Sequence, residues 1–193
     1  MLIDITQTTK IGKVYRPGSN PLKVEKVIRS LENGIEYSTI SFSCDTHNMG
    51  THIDVMDTNV VIDIERLIAP GIKIDISKIL DRPVMMTDID TSLVKKGVFV
   101  FFQSSKESQP EISMEVLEYL VSKGVNMIGI DASGLGIGKN HALADKYLGE
   151  HKKYAIENLT NLELIPVDNF KVYCLPIKIE GIDTMPVRIL VEF

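Results

Sequence analysis

Apolar positions along the chain change period several times, and each change marks an element. Residues 2–5 open as a strand and lead to a turn around Pro17, Gly18 and Ser19. Asn20 then caps a helix with Pro21 at its first position, because Val24, Val27, Ile28 and Leu31 recur at helical spacing and Gly34 supplies a stop. From residue 36 to 44 the pattern turns to alternation, with Ile40, Phe42 and Cys44 on one face and Ser41 and Ser43 on the other, as in a half-buried strand. Apolar, β-branched runs at 60–64, 72–76 and 98–102 predict further strands. Residues 113–123 read as a helix capped by Ser113, with Val116, Leu117, Leu120 and Val121 inward and Gly124 ending it. A short buried strand over 125–130 runs into a glycine-rich loop, Gly134 to Gly138. A second helix over 141–152 and strands at 154–156, 171–179 and 187–192 complete the chain. Strands and helices mixed through one segment, without repeats or linker-like composition, predict a single α/β domain over residues 1–193.

Composition narrows the function classes. Hydrophobic residues make up 44% of the 193 residues, enough for a substantial core. No apolar run is long enough to span a bilayer, and the N-terminus lacks the basic and apolar regions of a secretory signal, so no membrane partner is expected. The net charge is −5, lysines are scattered and tryptophan is absent, which argues against a nucleic-acid partner. Cys44 and Cys174 lie in apolar strand-like stretches. A disulfide framework is not expected, and a reducing cytoplasm is the default location. A small-molecule substrate or a protein partner is left.

The densest chemistry lies between residues 45 and 57, where two of the four histidines, His47 and His52, stand among Asp45, Asn48 and Asp54. Imidazole and carboxylate are the usual ligands of Zn²⁺, Mn²⁺ or Fe²⁺. His52 and Asp54 share a face if the segment is extended, and Gly50 allows a tight turn that brings an earlier residue to the same point. An ordinary polar surface turn is the alternative.

Gly50-Thr51-His52-Ile53-Asp54 resembles the central signature of the cyclase family, which includes kynurenine formamidase and isatin hydrolase and follows the pattern H-x-G-T-H-x-D-x-P-x-H. Glu157-Asn158-Leu159-Thr160-Asn161-Leu162 resembles the family's E-N-L-x-N-L run, whose Glu is a metal ligand. Ile3-Asp4-Ile5-Thr6, Gly129-Ile130-Asp131, the stretch from Leu175 to Gly181, and Pro186-Val187-Arg188 are further matches in the family's order. The resemblance implies a mixed central β-sheet with flanking helices, a bound divalent metal and a homo-oligomer, either dimer or tetramer. The activity it implies is metal-dependent hydrolysis of a small amide, formamide or cyclic amide or lactone through a metal-activated water.

His52, Asp54 and Glu157 match the family's ligands residue for residue. The first histidine of the pattern is Asn48 here, with His47 one position off. The proline after the Asp is Met56, the second histidine is Thr58, and the downstream histidine, twelve before the Glu, falls at Asp145. The metal candidates are therefore His52, Asp54, Glu157, Asn48, His47 and Asp145. More oxygen and less imidazole shifts preference from zinc toward manganese or magnesium. Thr58 cannot exchange a proton near neutral pH as an imidazole can, so the acid–base role at position 58 passes to Glu157, Asp145 or His47. The rival reading is a non-catalytic small-molecule binding protein on the same scaffold, with metal absent. The loop from Gly134 to Lys139 misses both common nucleotide-binding spacings and reads as a pocket rim. His141 reads as a surface histidine at a helix start, with a pocket position as the alternative, and His151 as a complement to the helix dipole.

Overall fold

The computed structural model describes residues 1–105 and 111–193. In chain order the strands are β1 (Leu2–Asp4), β2 (Lys23–Ser30), β3 (Glu36–Ser43), β4 (His52–Asp54), β5 (Ile68–Asp75), β6 (Phe99–Gln103), β7 (Ile128–Ile130), β8 (Ala155–Glu157), β9 (Phe170–Pro176) and β10 (Thr184–Glu192). Eight of them form one mixed sheet in the order β1-β10-β4-β8-β7-β6-β5-β9. The run from β8 through β7 and β6 to β5 is parallel, and the other pairings are antiparallel. β10 is long enough to pair with β4 through Thr184 to Pro186 and with β9 through Val187 to Glu192, so the sheet closes on itself as a barrel.

Alternation along each strand divides the core in two. Phe99 and Phe101 of β6 point into the barrel with Ile53, Ile156, Phe170 and Val172. Val100 and Phe102 point outward beneath helices α1 (Met114–Ser122) and α2 (Lys139–Glu150), where they meet Val116, Leu117, Leu120, Ala144 and Leu148. Each fully buried Phe contributes about 1.5–3 kcal/mol through the area removed from water. Ser113 caps α1 as expected, its side chain accepting from the Val116 amide. The flanking helices implied by the resemblance reduce, among the described residues, to these two.

The predicted helix over residues 21–31 is instead β2, paired with β3 as a hairpin apart from the barrel. Val24, Val27 and Ile28 fit either period over so short a span, and Asn33-Gly34 supplies a hairpin turn closed by the Leu31 amide on the Ile35 carbonyl at 2.9 Å. The strand expected at 36–44 is present as β3 but is not half-buried, since Ile40 and Phe42 face solvent. The run at 60–64 forms no strand. A 3-10 turn at Ile64–Arg66 follows it, capped by the Asp63 carboxylate on the Glu65 amide.

Gly129 marks the tightest interior contact of β7. A Cβ there would lie 2.7 Å from Phe101 Cδ1 and 2.9 Å from Leu159 Cδ1. Gly129→Ala should therefore overpack the barrel and lower stability by about 1–3 kcal/mol in denaturant unfolding. An unchanged midpoint would mean the barrel interior is looser than described.

Candidate metal centre

The short strand β4 sits between β10 and β8, and the register sets His52 opposite Glu157. Ile53 and Ile156 fill the barrel, so alternation turns His52, Asp54 and Glu157 toward the side where α2 lies. α2 presents His141 and Asp145 one turn apart, on one face of the helix. Thr51 and the two asparagines of the E-N-L-x-N-L run hold these elements together. Thr51 Oγ1 donates to the Asn158 carbonyl at 2.6 Å and accepts the Gln7 amide at 2.8 Å, while Asn161 Nδ2 donates to the Asp4 carbonyl at 2.9 Å. Arg188 closes the same end through Asp4 Oδ2 at 2.6 Å.

The resulting cluster consists of two triads joined through Glu157. His47, His52 and Asp54 offer ligand atoms within 4.8 Å of one another, and so do His141, Asp145 and Glu157. Glu157 Oε2 lies 3.4 Å from His52 Nε2, and Glu157 Oε1 lies 3.4 Å from His141 Nε2. His141 Nε2 also reaches Asp145 Oδ2 at 3.0 Å. The Gly50 carbonyl accepts from His52 Nδ1 at 2.9 Å, which leaves Nε2 facing Asp54 Oδ2 at 3.6 Å. Thr184 Oγ1 donates to Asp54 Oδ1 at 2.7 Å.

All three carboxylates are buried, and two of their oxygens, Asp145 Oδ1 and Glu157 Oε1, have no hydrogen bond among the described residues. Burial pushes the Asp54 carboxyl up to about 6, with Glu157 and Asp145 adding like-charge repulsion against the help of His52. Burial works against charge on His52, yet Glu157 and Asp54 hold its pKa above the ordinary value. The hydrogen bond that His141 donates to the Asp145 carboxylate lifts the histidine's pKa to about 9. His47 is lowered, chiefly by burial. A divalent cation fits this donor set. It would satisfy the orphaned carboxylate oxygens and take the place of protons now shared among the side chains.

The structure thus brings together His52, Asp54, Glu157 and Asp145, with His47 at the edge, its ring centroid 5.4 Å from that of His52. Asn48 lies beside them, with Nδ2 3.3 Å from His52 Nε2. Thr58 is not in the cluster. It is exposed and lines a separate cavity with Val60, Val61 and Ile64. His141 was read from the sequence as a surface histidine, with a pocket position as the alternative, and was left out of the metal candidates. It is 33% exposed, but its ring turns inward, not to the surface as read. Its four-residue spacing from Asp145 was the available signal. Gly134, at φ +131°, makes room for the ring, since a Cβ there would fall 2.4 Å from His141 Cε1. A cavity of about 660 Å³, lined in part by Arg16, Cys44, His47 and Thr184, opens beside the cluster.

Residues 3–136 match the Cyclase family model. Along almost its full length the chain is similar to kynurenine formamidase of Bacillus cytotoxicus, at 23% identity over 205 residues covering 98% of this chain and 96% of the relative. The fold is similar to that of isatin hydrolase A from Ralstonia solanacearum, with a TM-score of 0.80, 20% identity, and coverage of 99% of this chain and 91% of the other. It is also similar to a solved structure described as a potential metal-dependent hydrolase with cyclase activity, with a TM-score of 0.77, 25% identity and coverage of 99% and 98%.

Two outcomes follow from this geometry. In metal-stripped protein, His141 holds its proton up to about 9, whereas the unfolded chain releases it near 6.5. Its stabilising contribution is present below pH 6.5 and lost as pH rises toward 9, so the melting temperature should fall across that window. His141→Gln should flatten that fall. Asp54→Ala should abolish stoichiometric retention of zinc or manganese, read by elemental analysis after dialysis. Full retention would place the metal elsewhere.

Proposed function

The chain belongs to the Cyclase family, and from that premise we propose that it is a metal-dependent hydrolase of a small amide, formamide or cyclic amide or lactone. The observation that carries this reading is that Glu157 joins the two triads through His52 and His141, with two buried carboxylate oxygens lacking a hydrogen bond among the described residues. The relatives' names, a formamidase and an isatin hydrolase, support hydrolysis as the reaction type.

His52, Asp54 and Glu157 would hold a divalent cation, with His47 in reach. His47 and His141 restore imidazole that the pattern has and this chain lacks at positions 48, 58 and 145, so the donor set suits zinc as well as manganese. When bound, such a cation acidifies water and polarises a carbonyl oxygen. The protein's own groups do the rest. The Gly50 carbonyl fixes the His52 ring, and Thr184 fixes Asp54. His141, paired with Asp145 and partly open to solvent, is placed to carry a proton between substrate and bulk water, the role that Thr58 cannot fill. The adjoining cavity of about 660 Å³ shares His47 with the cluster and suits a small substrate. The unpaired thiols of Cys44 and Cys174 support a reducing, cytoplasmic setting.

Formanilide hydrolysis, measured with zinc and with manganese, tests this reading. We expect turnover that a chelator removes and metal restores. His141→Ala should lower kcat by about 100-fold or more while metal remains bound. Full metal occupancy without hydrolysis of formanilide or of a simple aryl lactone would favour a binding protein instead.

A further inference from the structure

Glu157 of the metal centre ends β8. The residues that lead into the parallel run β5 to β8 form a second cluster, of the opposite charge. Arg66 stands two residues before β5, Lys96 three before β6, Asn126 two before β7 and Lys153 two before β8. Backbone bonds knit these entering segments together. The Asn126 amide donates to the Val98 carbonyl at 2.7 Å, the Gly97 amide to the Gly124 carbonyl at 2.9 Å, and the Ile128 amide to the Tyr154 carbonyl at 3.1 Å.

Arg66 is the fixed member. Its Nε and Nη2 donate to the side-chain and main-chain oxygens of Asn126 at 2.9 and 2.7 Å, and Asn126 Nδ2 donates back to the Arg66 carbonyl at 2.7 Å. The guanidinium carbon also lies 4.9 Å from the centre of the Tyr154 ring. All of these partners are neutral, so the plane of the guanidinium is held and its charge is left uncompensated. Lys153, next to Tyr154, is half-buried. Burial lowers its pKa, and the charges of Arg66 and Lys96 lower it further, with no carboxylate acting the other way. Among the described residues no ion pair involves Arg66, Lys96 or Lys153. A chain of net charge −5 thus gathers three cations with no acid among them. Their mutual repulsion is relieved when an anion binds.

We propose that Arg66, Lys96 and Lys153 form a binding site for a phosphate-class oxyanion, either inorganic phosphate or a phosphomonoester. A guanidinium held in one plane offers directed donors and two ammonium groups offer adjustable ones, a combination that suits the tetrahedral oxygens of a dianion. Arg66 Nη1 makes no hydrogen bond among the described residues and is available to such a ligand. The patch is too small for a nucleic-acid backbone, whose affinity grows with each phosphate neutralised. The proposal stands independently of the hydrolase reading.

Calorimetric titration of the full chain with inorganic phosphate at low ionic strength tests it, with phenyl phosphate as a second arm and sodium chloride as the reference. Saturable binding of one anion per chain in either arm is expected, and the arm that binds more tightly distinguishes the free ion from the ester. Lys153→Gln should weaken that binding about 10-fold and the more exposed Lys96→Gln about 3-fold. Affinity should be the same before and after a chelator strips the metal. Phosphate heats no larger than those of chloride overturn the proposal, and so does an affinity unchanged in both lysine variants. Binding lost with the metal would put the anion on the metal centre and equally overturn it. Should a lysine variant misfold, acetylation of the parent, read by mass spectrometry, decides the matter. Phosphate should slow modification of Lys153 and leave that of Lys178 unchanged, and equal rates with and without phosphate at Lys153 overturn the assignment.

Discussion

Three carboxylates, Asp54, Asp145 and Glu157, are driven into one small, water-poor space, and the surrounding structure serves to keep them there. Two like charges about 4 Å apart repel by about 4 kcal/mol at the effective dielectric of a protein. Three histidines interleaved among the acids relieve part of this, yet two buried oxygens still lack a hydrogen bond among the described residues. A fold spends stability on such an arrangement where a multivalent cation compensates it. The β4–β8 register, the clamp of Thr51 on Asn158 and the Gly134 gap beside His141 all act to hold the acids in place against their repulsion.

The cluster keeps imidazole and carboxylate together although several positions of the pattern have changed type. Asn48 keeps contact with the His52 ring, and the neighbouring His47 offers the imidazole. Asp145 stands where the family pattern has a histidine, and His141, one helical turn earlier, reaches both Asp145 and Glu157. An α-helix places residues four apart side by side, so a ligand can move by one turn at little geometric cost. Each triad has at least one imidazole.

Much of the fold was legible in the sequence because burial imposes a period. The continuous apolar run of β6 read correctly because both of its faces meet a core, and the capped α1 because one of its faces does. Residues 21–31 misread because, among the described residues, the hairpin belongs to neither core cluster. With Val24 and Val27 half-buried on opposite faces of β2, the apolar positions carried no period tied to one buried face, and the informative feature was the Asn33-Gly34 turn. The members of the cluster on β4 and β8 were legible through contiguous motifs. His141 was not, because its partner Glu157 comes from a different element, and only the packing of α2 against the sheet brings them together.

Anomalous diffraction from crystals soaked in zinc would test the central claim most directly. We expect density between the two triads, at about 2.0–2.2 Å from Glu157 and at least one of Asp54 and Asp145. Carboxylates found apart, each solvated and without an anomalous peak, would contradict it.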